Sequence, residues 1–411
     1  MRKIAIVGAG QSGLQLALGL IQNDYDVTMV TNRTPEQVRE GRVMSSQCMF
    51  DASLQTERRL GLDDWAEECP PIEGIGLTVV GPEGSPVIEW DAKLGAPAQS
   101  VDQRVKMPVW MDRFRGDGGD LRILDAGVAE LEELSKSHDL VVVASGKGEV
   151  GRLFERDPDH SPYESPQRAL ALTYVEGYEE RDSFSAVTFN LIPTVGEYFW
   201  FPALTTTGPC HILVFEGIPG GPMDCWDDVE GPEDHLERSR QVLEQLMPWE
   251  AERAKGMRLT DPNGSLAGKF PPTVRQPVVE LPSGAPVLGM ADVVVLNDPI
   301  TGQGSNNAAK CADRYLDSIL ARGAEPFDRE WMEHTFASFW NYAHDVTRWT
   351  NMLLAPPPEH VVQLLGAAGQ LPGLASRIVN GFDNPPEFFP WWEDPKEAES
   401  LIEHEKEVAA A

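Results

Sequence analysis

The stretch Gly289 to Ala308 reads GMADVVVLNDPITGQGSNNA. It has the pattern of a strand end, an acidic turn and a Gly-rich loop that opens a helix. Asp292 is expected at the end of the strand, where a carboxylate accepts from a ribityl hydroxyl. The run Pro299-Ile300-Thr301-Gly302-Gln303-Gly304 lets the backbone approach a flat ring without Cβ obstruction. The helix expected from Ser305-Asn306 aims its first N–H groups and positive dipole end at that ring. A flavin that stays anionic when reduced is favoured there by charge-assisted hydrogen bonds.

A second signal lies at the other end of the chain. Lys3-Ile4-Ala5-Ile6-Val7 is a buried-strand run, followed by Gly8-Ala9-Gly10-Gln11-Ser12-Gly13. An apolar-periodic helix, Leu14 to Ile21, and a second strand, Asp26 to Thr31, complete a dinucleotide-binding βαβ unit. Where the second strand ends, the ribose-binding acid of such units is missing, and the sequence runs Thr31-Asn32-Arg33. Thr31 still offers a hydroxyl, and Arg33 can meet a phosphate or stack on adenine. Adenosine is therefore expected to bind more loosely than in a flavoprotein that never releases its cofactor. A plain NAD dehydrogenase, which depends on that acid, is disfavoured.

Composition bounds the partners. The chain has 411 residues, enough for two or three domains, and a formal net charge of −31. Such a surface repels nucleic acid and anionic lipid, so neither is expected as a partner. The five cysteines show no CxxC spacing and no pairing with His at metal-ligand intervals, so no metal is expected. The first strand begins at Lys3, which leaves no room for a signal peptide, and no long apolar run spans a bilayer. The expectation is a reduced, cytoplasmic protein.

Between the two motifs the chain alternates in character. Ala52 to Trp65 reads as a helix, Ile75 to Val80 and Pro86 to Trp90 as a hairpin, and Val101 to Phe114 as a helix carrying Arg104 and interrupted by Pro108. Asp139 to Gly146 reads as a buried parallel strand. Strands rich in β-branched and aromatic residues follow at Ala169–Val175, Ser185–Asn190, Glu197–Pro202 and His211–Phe215, suited to an antiparallel sheet over the ring. A helix is expected near His235 to Leu246, helices prevail from Asp328 onward, and the tail after Trp392 reads as a solvated helix or frayed end. The expected organisation is α/β: a discontinuous Rossmann-type FAD domain (1–70, 98–168 and 275–327), an inserted antiparallel-sheet substrate domain (71–97 and 169–274), and a C-terminal helical region (328–411).

The two motifs together suggest the FAD domain of hydroxylases of the para-hydroxybenzoate hydroxylase fold. Three segments narrow this further: Ser161-Pro162-Tyr163-Glu164-Ser165-Pro166-Gln167-Arg168-Ala169-Leu170, the GMAD…DPITGQGSNNA block, and Thr347-Arg348-Trp349-Thr350-Asn351. With these the chain resembles, from Lys3 to about Asp383, the oxygenase component of the styrene and indole monooxygenases. The resemblance implies a two-component system in which FAD arrives as FADH₂ from a separate NADH-dependent flavin reductase. It further implies reaction with O₂ to a C4a-hydroperoxide, whose distal oxygen attacks an electron-rich double bond. Such a transfer needs a dry apolar cavity and no acid or base from a side chain, and no convincing His/Asp/Ser triad is present.

By the same resemblance, Ser45, Gln47 and Met49, then Ile72, Ile75 and Ala98, look like the indole branch, whose product rearranges to indoxyl and indigo. Physically, Ser45 or Gln47 would orient an indole N–H, and Met49, Ile72, Ile75 and Ala98 would form an apolar wall. Arg42 and Arg104 are candidates for contact with the flavin. Beyond Ser145-Gly146-Lys147 the sequence shows no Asp-Gly pair of the kind single-component hydroxylases use near flavin and NADPH, and no second dinucleotide site. The rivals are a styrene or aryl-alkene epoxidase or sulfoxidase, a flavin-binding protein without oxygen transfer, and a flavin-dependent dehydrogenase. A homodimer is left open.

Overall fold

The structure, a computed structural model, describes residues 2–146 and 149–410; Lys147, at the end of the strand reading above, lies outside the described residues. Two sheets organise the chain. The strands of the first run, across the sheet, Val278–Glu280, Pro286–Gly289, Leu140–Val143, Lys3–Val7, Asp26–Thr31 and Asp120–Ile123. All neighbours are parallel except the first two, which form an antiparallel hairpin. The central strands are continuous apolar runs because both faces are covered: Ile4–Val7 and Leu140–Val143 are buried throughout. The helix Gln11–Ile21 is buried along nearly its whole length, and it packs against the helix Gly304–Arg322.

The second sheet runs Arg258–Leu259, Ala169–Glu176, Gly208–Gly217, Gly196–Thr205, Ala186–Ile192, Ile72–Val80 and Pro86–Ala98, with Ser265–Gly268 joining beside Ala169–Glu176. It departs from the expected antiparallel sheet at one place, where Ile72–Val80 pairs in parallel with Ala186–Ile192. Strand alternation splits its side chains between two cores. Phe199, Phe201, Ile212 and Val214 face a core shared with the C-terminal helices, whereas Tyr198, Trp200, Leu213 and Phe215 face the helix Pro232–Leu246.

Several elements differ in extent from the sequence reading. The helix expected from Ala52 to Trp65 is Asp51–Arg59, because the chain turns at Leu60 and Gly61, the latter at φ +63°. The hairpin's second strand continues to Ala98. The helix Gln103–Gly116 accommodates Pro108. The tail forms the helix Pro395–Ala410, which packs on Glu359–Ala368 and Pro372–Gly381 through a face that includes buried Ala398. Among the described residues no helix is long and apolar enough to cross a membrane.

A buried carboxylate locks the second sheet to the segment Pro248–Arg253. Glu250 accepts from Tyr178 Oη at 2.7 Å, Trp200 Nε1 at 3.0 Å and Asn190 Nδ2 at 3.2 Å. Glu250→Ala leaves Trp200 Nε1 and Asn190 Nδ2 without this acceptor, at about 1–3 kcal/mol each. The expected result is a fall of about 3 kcal/mol or more in unfolding free energy, read as a lower urea midpoint at unchanged slope.

Candidate functional site

The site is built where the parallel strands Lys3–Val7, Leu140–Val143 and Pro286–Gly289 present their carboxyl ends. Gly8 follows the first of these at φ +122°, and a Cβ there would lie 2.7 Å from Ser145 N. A Cβ on Gly13 would lie 2.0 Å from Gly8 O, so the helix Gln11–Ile21 is pressed against the strand end. Gly10 differs: a Cβ there would meet nothing within 4 Å, and the helix it precedes has no side-chain cap. The helix therefore offers its first N–H groups to open space, which suits a pyrophosphate.

The second turn faces the same edge. Asp292 sits in the single 3₁₀ turn Ala291–Val293, beyond the strand end rather than at it, with its Cβ 3.4 Å from the position a Gly146 Cβ would take. Gly302 is left-handed at φ +64°, and its N–H donates to Pro299 O at 2.7 Å. The helix begins at Gly304, one residue ahead of the sequence reading, and its first backbone bond runs from Asn307 N–H to Gln303 O. The N–H groups of Gly304, Ser305 and Asn306 precede that bond and are left outside the ladder. Nothing lies within 4 Å of a Cβ on Gly304. One open cradle at each glycine turn fits a dinucleotide with a planar ring, FAD above all.

Several residues named from the sequence hold the turns rather than project into this space. Gln303 is fully buried and donates to Phe382 O at 2.9 Å. Asn306 accepts from Phe50 N–H at 2.9 Å and donates to Cys48 O at 2.8 Å and Gly302 O at 3.0 Å, which clamps the segment 48–50 to the turn. Ser305 Oγ reaches Cys48 O at 3.4 Å. Gln11 turns its amide inward to Glu57 at 2.8 Å, and Glu57 is paired with buried Lys106.

Arg104, expected at the cofactor, is spent elsewhere. Its donors go to Asp102, Asp261, Thr205 and Gly41 O, including a two-pronged contact with Asp261 at 2.9 and 3.0 Å. It is a buried cross-link between the helix start and the second sheet. Thr31, Asn32 and Arg33 stand at the end of the second strand, the last two exposed, with Arg33 Nη2 on Met44 Sδ at 3.2 Å. Arg42 is exposed.

The residues named for the substrate fall into three groups. Ile72, Ile75 and Ala98 lie in the apolar core between the second sheet and the C-terminal helices, with Ile72 opposite Ala98 across the hairpin. Met49 is set apart from them. The segment there is extended, so Cys48 and Phe50 take the face toward that core while Met49 packs with Leu54 and Ala309. Ser45 and Gln47 form a polar chain: Gln103 donates to Ser45 Oγ at 2.9 Å, Ser45 donates to Gln47 Oε1 at 2.8 Å, and Gln47 donates to Tyr174 Oη at 3.0 Å. Tyr174 in turn donates to Ser45 O at 2.9 Å, and burial raises its phenol well above the ordinary range, so it stays a neutral donor.

The sequence reading missed the aromatic group beside the second turn. Phe382, whose carbonyl holds Gln303, packs against Phe50 at 5.9 Å, Phe189 at 5.6 Å and Trp349 at 4.9 Å between ring centroids. Phe199 and Phe201 extend it along the sheet. The signal was the alternation in Tyr198-Phe199-Trp200-Phe201, where every second ring faces this side.

Residues 146–253 match the family model described as "Styrene monooxygenase A putative substrate binding domain". Styrene monooxygenase StyA of Pseudomonas fluorescens is 32% identical over 400 residues, covering 93% of both chains. A second StyA, from a Pseudomonas species, is 31% identical over 396 residues at the same coverage. The chain belongs to the styrene monooxygenase family. Residues 3–48 also match a model of coenzyme F420-dependent NADP oxidoreductases, which spans the opening βαβ unit alone.

At the level of fold, the flavin-dependent brominase Bmp2 aligns with a TM-score of 0.68 at 14% identity, over 98% of this chain and 99% of the brominase. A Cytophaga hutchinsonii flavoprotein/dehydrogenase aligns at 0.67 and 14% identity, over 99% of this chain and all of its own. The α/β architecture with its Rossmann-type sheet is thus shared with this brominase and this flavoprotein.

The open space at Gly10 supplies a test. Gly10→Val is expected to leave the melting temperature of the cofactor-free protein unchanged while weakening FAD binding by about tenfold or more, roughly 1.4 kcal/mol. Flavin fluorescence titration reads the affinity and calorimetry the stability.

Proposed function

We propose that this chain is the oxygenase component of a two-component flavin monooxygenase that epoxidises the C2=C3 bond of indole. FAD is held by the glycine turns at Gly8–Gly13 and Gly302–Gly304, arrives reduced from a separate NADH-dependent reductase, and leaves after turnover. Bound in reduced form, it supplies with O₂ the oxygen atom that is transferred. The chain's own residues exclude water, through the rings of Phe189, Phe199, Phe201, Trp349 and Phe382, and orient the substrate. Burying a bicyclic aromatic of ~150–250 Å² at about 25 cal/mol per Å² contributes roughly 4–6 kcal/mol before ordering costs.

The Ser45–Gln47 chain carries the choice of substrate. Each hydrogen bond in it is accounted for, and acceptor capacity remains on Ser45 Oγ and Gln47 Oε1. A substrate with an N–H donor completes this arrangement, whereas an alkene leaves it unpaired. The second reading, an epoxidase of styrene or another aryl alkene, or a sulfoxidase, is favoured by what the two StyA relatives act on by name. A flavin-binding protein without oxygen transfer is the third.

Product analysis with a generic flavin reductase, styrene and indole in competition, decides among them: indigo-forming product favours the first reading, styrene oxide the second, and hydrogen peroxide alone the third. Gln47→Leu is expected to lower the indole-to-styrene rate ratio by about fivefold, the worth of one hydrogen bond of ~1 kcal/mol. Mixed anaerobically with FAD and NADH but no reductase, the protein is expected to leave flavin absorbance unchanged. Rapid bleaching refutes the need for a separate reductase.

A further inference from the structure

Directly beneath the Pro299–Gly304 turn lies a group of buried acids with too few cations. Glu216 is fully buried on the strand Gly208–Gly217, on the face that also carries Val214 and Ile212, and stands opposite Glu197 on the neighbouring strand. Asp298, 2% exposed, opens the turn and caps it by accepting from Ile300 N–H at 3.2 Å. Among the described residues the cation facing them is Arg168, and its donors are already taken. Nε and Nη2 hold Glu197 at 2.6 and 2.9 Å, and the remaining N–H groups go to the carbonyls of Gln167, Leu353 and Leu354. Tyr163, also near Asp298, gives its hydroxyl to Asn351 O at 3.0 Å.

Neither oxygen of Glu216, nor Oδ2 of Asp298, has a donor among the described residues. The two carboxyls are close enough to act on each other, and burial, then their mutual charge and that of Glu197, pushes Glu216 well above the usual carboxylate range. Burial likewise pushes Asp298 up. Two unpaired carboxylates in such a place would each carry a large desolvation cost. One proton between them removes the repulsion and supplies the missing hydrogen bond.

We infer that Glu216 and Asp298 share a single proton that ties the Pro299–Gly304 turn to the strand beneath it, acting as positioning residues for the turn that meets the flavin. In the unfolded chain both acids titrate in the ordinary range, so between that range and the raised one the folded state binds more protons. The stability this proton confers is complete at low pH and is lost as pH rises through the pair's titration. Its loss places two negative charges under the turn and loosens it. FAD affinity then falls with rising pH by up to about tenfold per unit, the slope of one linked proton. Glu216→Gln keeps a neutral donor to Asp298 and removes the titration.

The test is an infrared pH titration of the full chain without cofactor, paired with FAD binding by fluorescence over the same range, for the wild type, Glu216→Gln and Asp298→Asn. The expected result is a protonated-carboxyl stretch at neutral pH in the wild type that is absent from Glu216→Gln, with FAD affinity dependent on pH in the wild type and flat in that variant. A wild type without that stretch at neutral pH overturns the inference, as does a Glu216→Gln variant with the wild-type pH slope. The wild-type infrared reading needs no cofactor and no variant, so it separates this inference from the proposed oxygenase activity.

Discussion

One backbone ladder makes the site possible. Ile6 pairs with Val142, and Val142 pairs with Leu288, so strands from the beginning, middle and later part of the chain end side by side. Each is followed by a turn that lets backbone come close: Gly8 after the first, Ser145-Gly146 after the second, the Asp292 turn after the third. Because all three are parallel, the turns gather at one edge, the place a dinucleotide would take in a sheet of this kind. A slip of one residue in this register would shift the strand ends against one another and separate the turns.

Around that edge, division of labour follows from chemistry. Backbone N–H groups and absent Cβ atoms face the open space, while polar side chains of the same motifs turn inward and fix the backbone. Asn306 clamps the 48–50 segment, Gln303 holds Phe382, and Gln11 joins the Glu57–Lys106 pair. The substrate side is placed by the second sheet, whose alternation sends one set of rings toward the second turn and the other toward the helix Pro232–Leu246. Oxygen transfer from a reduced flavin requires water exclusion more than acid–base groups, and the rings packed beside the second turn make that side apolar.

The sequence disclosed both glycine turns because their signals are local. Gly8, Gly10 and Gly13 mark a strand–helix turn, and Gly302 and Gly304 mark another, without knowledge of any distant partner. Arg104 was misjudged for the opposite reason: its partners Asp261 and Thr205 lie far along the chain, and a buried salt bridge leaves no pattern in a window of sequence. Met49 was grouped with Ile72, Ile75 and Ala98 because all are apolar; only the extended backbone at 47–50, fixed by pairing with Gln99, shows that it points the other way. Glu216 gave no warning either, since a Glu in a β-branched strand reads as an edge or surface residue until the sheet closes over it.

The central claim is that the two glycine turns form one cradle for one molecule of FAD. A crystal structure of the protein with FAD bound tests it most directly. The account predicts the pyrophosphate at the N–H groups following Gly10 and the ring edge against the N–H groups of Gly304, Ser305 and Asn306. A ring bound elsewhere, with the Gly302–Gly304 turn facing bulk water, would contradict it.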